Sequence, residues 1–344
     1  MAKCAAVAPF ATSCVKEYGL SLATAGRCEA WEQNARRRTA LDPTNGGAWL
    51  DLARALAAQG VPASAVGESL EKKIALEPAA TQAYTREWLT AKLALHDGDL
   101  KKARAIMEAR VKASEKDEDL EDYSAPRMML VDICEQIGDV ACVTKVAKEA
   151  RSHVAGRSTN SMTNRGNRHM VDLTLARALW KVGKLSAADL ADVERRAVES
   201  MSENSTLDPY AGWKARVDGA TTREAAQKLW QAWPNHVDVA ENATRDVELA
   251  MNVGTLLLNA GEPKAAVPYL RVAAQHCFIA FQSPLAALRI QVHLAKAQAA
   301  SGELEEARRG VQKLMQRWRN KPIQPTIFKE LPKAAFVPPK SIEI

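Results

Sequence analysis

The sequence predicts an all-α protein, an α–α superhelix of helical hairpins in two segments. Three observations predict it. Ala, Leu, Lys, Arg and Glu dominate, and aromatic residues make up only 5% of the 344 residues; this composition favours helix, and the β-branched clusters of strands are scarce. A glycine, four residues and then a small residue recur as Gly60 with Ala65, Gly98 with Ala103, Gly138 with Val143, Gly183 with Ala188, Gly261 with Ala266 and Gly302 with Ala307. Positions counted back from each glycine also keep their character. The seventh is Ala53, Ala91, Val131, Ala176, Gly254 or Ala295, and the tenth is Leu50, Trp88, Met128, Leu173, Met251 or Val292. Small and apolar positions at these offsets belong to a helix packed at close range on its neighbour.

Each glycine ends the first helix of a hairpin, because it enters the left-handed conformation without a Cβ penalty. The small residue after it lies in the first turn of the second helix and lets the two approach. Successive glycines stand 38, 40, 45, 78 and 41 residues apart, which is the period of a helical hairpin with one interruption.

Along the chain, a first hairpin turns at Gly26, with residues 28–40 as its second helix. The next unit is the most complete: Trp49, Leu52, Ala53 and Leu56 precede Gly60, Ala65 and Pro78, and Leu41-Asp42-Pro43 and Leu76-Glu77-Pro78, 35 residues apart, bracket it. Units at Gly98, Gly138 and Gly183 follow, the last two separated by a polar, basic stretch from Arg157 to His169 that reads as a surface loop. Ser202 to Pro209 reads as a further loop. Thr222, with Glu224 and Ala225, then caps a short helix carrying Leu229, Trp230 and Trp233, which Pro234 stops. The connector holds three of the eight tryptophans, Trp213, Trp230 and Trp233, read as packing residues. Units at Gly261 and Gly302 complete the array, and from Pro322 onward the prolines predict a tail lying against the last helix. The predicted organisation is an N-terminal array over residues 1–200, a connector over 201–240, C-terminal hairpins over 241–320 and a Pro-rich tail over 321–344.

The unit at Gly60 resembles the tetratricopeptide repeat family, and the likeness extends, with aromatic consensus positions mostly lost, over most of residues 24–318. The block with Gly261, Tyr269, Leu270, His276, Cys277, Leu294, Gly302, Leu314 and Trp318 is similar to the end of the tetratricopeptide regions of some bacterial serine/threonine protein kinases. That resemblance implies a region that senses a signal or docks partners, in an extracytoplasmic setting that six cysteines would suit. In the tetratricopeptide family the first helices line a concave groove. The sixth position before each glycine, which reads Arg54, Lys92, Asp132, Arg177, Thr255 and Lys296, would then place Arg54, Lys92, Arg177 and Lys296 as a spaced basic row in that groove. Register alone equally allows ordinary exposed cations, whose replacement would leave folding nearly intact.

The chain carries 47 Lys and Arg against 41 Asp and Glu, for a net charge of +6. This is too small and too interspersed to argue for nucleic acid. With no run of eighteen uncharged apolar residues, and with Met1-Ala2-Lys3-Cys4 lacking an apolar signal core, neither membrane insertion nor self-export is expected. The cysteines, Cys4, Cys14, Cys28, Cys134, Cys142 and Cys277, allow fifteen full pairings. Cys134 and Cys142 flank the turn at Gly138, which can bring them within disulfide reach; in a reducing compartment they would be two small buried hydrophobes. There is no CxxC and no His pair at helical spacing, so no metal or cofactor is expected. HExxH, GxSxG, GxGxxG, the phosphate loop, HRD and DFG are all missing. The expected function is non-catalytic: a scaffold or sensor region holding a protein or peptide segment, with acidic groups or a free carboxylate, in its groove. The rivals are a small-ligand sensor, marked by a closed, largely apolar pocket between the two segments, and an unrecognised enzyme, marked by convergent titratable groups.

Overall fold

Seven glycines, Gly26, Gly60, Gly98, Gly138, Gly183, Gly261 and Gly302, adopt φ between 69° and 94°, and each closes the first helix of a hairpin. The computed structural model describes residues 11–115, 119–156, 162–202, 216–217, 219–232 and 246–335. Within them the helices are α1 (Thr12–Thr24), α2 (Cys28–Leu41), α3 (Gly46–Ala58), α4 (Ala63–Ala75), α5 (Ala79–Asp97), α6 (Leu100–Ala113), α7 (Leu120–Ile137) and α8 (Val140–Gly156). They continue as α9 (Met162–Lys181), α10 (Ala187–Ser202), α11 (Arg223–Gln231), α12 (Val247–Asn259), α13 (Pro263–Gln275), α14 (Ile279–Gln282), α15 (Pro284–Ser301) and α16 (Leu304–Trp318). No strand occurs among the described residues. The fold is all-α, with seven hairpins in sequence and two single helices, α11 and α14, between them among the described residues.

The tight turns have a common chemistry. At Gly98 the chain turns into the left-handed region, the Asp99 N–H donates back to the Ala94 carbonyl at 2.8 Å, and the Asp99 carboxylate accepts from the Lys102 N–H at 2.9 Å. One residue thus helps to end α5 and caps α6. Gly138 and Asp139 repeat the device, with the Cys142 N–H donating to Asp139 at 2.9 Å. That carboxylate sits below its ordinary pKa, chiefly because of this backbone bond. Thr222 accepts from the Ala225 N–H at 3.2 Å and caps α11 as its sequence predicts.

The positions read as close packing are buried: Ala53, Ala91, Val131, Ala176 and Ala295 are at most 2% exposed. A Cβ on Gly254 would meet Leu270 Cγ at 2.5 Å, so this member of the row admits no side chain. Ala103, Val143, Ala266 and Ala307 are buried at the start of the second helices. Ala65 is half-buried, and Ala188 is exposed, where Leu190 and Val193 pack that hairpin instead. Trp213, Trp233, Cys4, residues 157–161 and the last prolines lie outside the described residues, while residues 162–169, expected as part of a surface loop, instead belong to α9.

The C-terminal hairpins pack back on the N-terminal array. α14 packs on α3 and α5, and α15 packs on α5 and α13. Cys277, just before α14, is disulfide-bonded to Cys28 at the start of α2, with Cα atoms 5.5 Å apart. Its N–H donates to the Ala23 carbonyl at 3.2 Å. The stretch after α16 also packs back. Thr326 Oγ1 donates to the Glu135 carbonyl at 2.9 Å, and Phe328 meets Trp318 edge-on, so this stretch lies against α7 as well as the last helix. A single apolar cluster runs through α5–α9, α15, α16 and this stretch.

Cys134 and Cys142 are also bonded, across 8 residues, whereas the Cys28–Cys277 bond spans 249. Loop-closure entropy predicts a cost of about 5 kcal/mol for losing the long link and about 2 kcal/mol for losing the short one. Urea unfolding of Cys277→Ser and Cys142→Ser should show the larger loss in Cys277→Ser.

Candidate functional site

The side of the array that meets the C-terminal block, here the inner face, is built by α3, α5 and α7, the first helices of the second to fourth hairpins. Helical periodicity brings Asp51 and Arg54 of α3, Trp88, Lys92 and His96 of α5, and Asp132 of α7 to the side on which the C-terminal block sits. Phe281 of α14, 1% exposed, enters the cluster of Leu52, Leu56, Val66, Leu70 and Leu89. Burial of such a ring contributes about 1.5–3 kcal/mol. Phe278 packs on Trp31 at 4.6 Å between ring centroids.

Nearly every member of the predicted row meets a partner. The Arg54 guanidinium donates to Gln282 Oε1 at 2.8 Å, lies 5.7 Å from the Phe278 ring and pairs with Asp51 at 3.5 Å. Asp51 in turn makes a buried ion pair with Arg38. Asp132, the acidic exception in the row, accepts from Arg289 of α15 at 2.7 Å. Thr255 bonds His293 of α15 at 3.1 Å. Arg177 donates to Glu194 within its own hairpin at 2.8 Å, and Lys296 pairs with Glu330 of the C-terminal stretch at 2.8 Å.

The structure therefore brings Arg54 and Lys92 together on one face and leaves Arg177 and Lys296 elsewhere, each engaged with a carboxylate. The expectation that Arg54 and Lys92 are exposed is corrected: Lys92 is 7% exposed and Arg54 is largely covered, because α14 lies over them. Sequence register located the face, but it could not show that another part of the chain occupies it.

Burial has electrostatic consequences. Desolvation pulls the Lys92 ammonium down to about 8 from an ordinary 10.5, and the like charge of Arg54 adds to this. Its Nζ lies 5.4 Å from the Trp88 ring, with no carboxylate bonded to it among the described residues. Desolvation also lowers Arg54, against the opposing pull of Asp51. His96, 3% exposed, is held at about 4, first by desolvation and then by the Arg317 guanidinium. Arg317 Nη2 lies 2.6 Å from Nδ1, which must accept, leaving the imidazole neutral. Two signals missed in the sequence are Cys277, whose partner lies 249 residues away, and Phe281, which the repeat alignment did not cover.

No protein-family model matches the chain, nor does any curated protein sequence. Among solved structures, one similar chain belongs to a complex described as "Structure of Naa15/Naa10 bound to HypK-THB". It is 12% identical, with a TM-score of 0.21, and the match covers 93% of this chain and 60% of that one. The protein thus spans about three fifths of that neighbour's length. At this level of likeness the match bears on neither activity nor partner, and the all-α repeat assignment rests on the helices themselves.

Between pH 8 and 10.5 the unfolded chain binds more protons at Lys92 than the folded one, so stability rises with pH through that window. The gain is up to about 3 kcal/mol, and below pH 8 the burial cost is constant. Lys92→Met should be more stable than wild type at pH 7 and lose the alkaline gain, as measured by denaturation at pH 7, 8.5 and 10. A variant less stable at every pH would show that the ammonium is paired.

Proposed function

We propose that this chain is a non-catalytic helical-repeat binding module whose inner face recognises a protein segment with apolar anchors and acidic groups. The observation that carries this reading is the chain's own C-terminal block. Phe278 and Phe281 anchor it on α3 and α5, while Arg54 reaches its Gln282. A face that holds one short helix by aromatic anchors and a guanidinium has the chemistry to hold another. Lys92 supplies the unmatched charge: an acidic side chain from a partner would neutralise a buried ammonium that the chain's own segment does not.

On this reading the resident block competes with the partner, and the Cys28–Cys277 bond biases the competition by tethering the block. Cys14, Cys28, Cys134, Cys142 and Cys277 are all disulfide-bonded, which supports an oxidising compartment and the sensing side of a signalling protein as its setting. No described helix is long and apolar enough to cross a membrane.

Fluorescence anisotropy with a labelled acidic amphipathic peptide tests the proposal. Replacing Cys28 and Cys277 together with Ser should raise its affinity by about tenfold, as release of a competing segment requires. Adding Arg54→Ala and Lys92→Ala to that background should weaken binding and flatten its salt dependence. Equal, weak binding by all three proteins, with helicity retained, would sink the reading.

A further inference from the structure

A cavity of about 630 Å³ lies where the turn between α3 and α4 and the end of α5 face α13–α16. Its volume is that of a small-molecule site. Three walls differ in chemistry. Ala57, Ala58, Val61 and Pro62 make an apolar wall on the N-terminal side. On α15, Gln291 and Gln298 stand two turns apart, with Leu294 and Ala295 between them. On α16, Gly310, Lys313 and Arg317 fall on one stripe.

Two of these residues, Gln298 and Gly310, face the space between the walls. Gln298 is only 7% exposed, yet its carboxamide has no hydrogen-bond partner among the described residues. Its nitrogen and oxygen stay accessible from the cavity that they line, so a ligand there can exchange hydrogen bonds with them. Gly310 sits inside α16 with ordinary helical backbone, where glycine costs about 0.5–1 kcal/mol relative to alanine. Packing gives no reason for it, since a Cβ there would meet nothing within 4 Å. A side chain at 310 would instead project into the open space.

The charges are arranged to one side. Lys313 makes no ion pair among the described residues. Arg317 spends one nitrogen on His96 and its carbonyl, which leaves other N–H groups of the fork. The acidic group on the lining, Asp97, is already paired with Lys321 at 2.8 Å. The site therefore offers cations at one wall, an accessible amide at another and alkyl surface at the third.

We infer that this cavity binds a small amphipathic carboxylate that carries an amide, with its carboxylate on Lys313 and Arg317, its amide on Gln298 and its apolar body against Ala57, Ala58, Val61 and Pro62. The cavity adjoins the inner-face contact, since His96 and Ala280 of α14 line it, but its test reads small-molecule binding to the closed chain, so either proposal can fail without the other.

Calorimetry on the full chain with N-octanoylglycine, octanoate and N-octylacetamide tests it. N-octanoylglycine should bind at one saturable site, about tenfold more tightly than either compound lacking a polar group. Gly310→Trp, with an unchanged melting temperature, should abolish binding. Lys313→Ala should weaken the two carboxylates and leave N-octylacetamide unaffected. Gln298→Leu should erase the preference for N-octanoylglycine over octanoate. No saturable binding to the wild-type chain, or wild-type affinity in folded Gly310→Trp, would overturn the assignment.

Discussion

The seating of α14 on α3 and α5 is the contact on which the rest of the arrangement depends. In an open repeat array each hairpin touches only its neighbours, and stability is close to a sum of local terms. Here Phe281 joins the second and third hairpins to the C-terminal block, and Arg289 carries the connection on to Asp132. Helices far apart in sequence stabilise one another, and removing the block would uncover apolar surface along several hairpins at once. Three members of the row six residues before each glycine, Arg54, Lys92 and Asp132, lie where the two ends meet. Its acidic member faces an arginine of the block, and its threonine faces a histidine.

Closure also explains the unusual electrostatics. Arg54 and Lys92 would be unremarkable surface cations on an open array. Covered by α14, they become two like charges out of water, and desolvation dominates both. Burying charge this way weakens the folded state but sharpens its selectivity, because a segment without a complementary group leaves the charge unpaired. The energetic cost falls on the surface that distinguishes one occupant from another.

Most of the fold was legible because its signals are local. Glycine at the turn and a small residue where helices cross each report a backbone constraint within about ten residues. Gly60 and Gly183, with open space around them, were as readable as the crowded Gly98. The site was only half legible. Register put Arg54 and Lys92 on one face, but Arg177 and Lys296, at the same register, answer to Glu194 and Glu330. Arg177 is as buried as Lys92, each 7% exposed, but only Arg54 and Lys92 lie where α14 lands, and no periodicity encodes that. Gln298 illustrates the same limit: in sequence it is one more polar helix residue, and only the space beside it makes its amide conspicuous.

The pairing of cysteines is nested, with the Cys134–Cys142 link lying inside the span from Cys28 to Cys277. A chain that emerges from its N-terminus exposes Cys28 long before Cys277 exists, while Cys134 and Cys142 arrive in between as competing thiols. Oxidation in order of appearance would therefore give the wrong bond. The hairpin of α7 and α8 offers protection, since its contacts are local enough to form early and Cys134 is fully buried once they do. Maturation then becomes a matter of sequence in time: the short bond must be sealed or hidden first, so that the thiol at the start of α2 is still waiting when the last hairpins arrive.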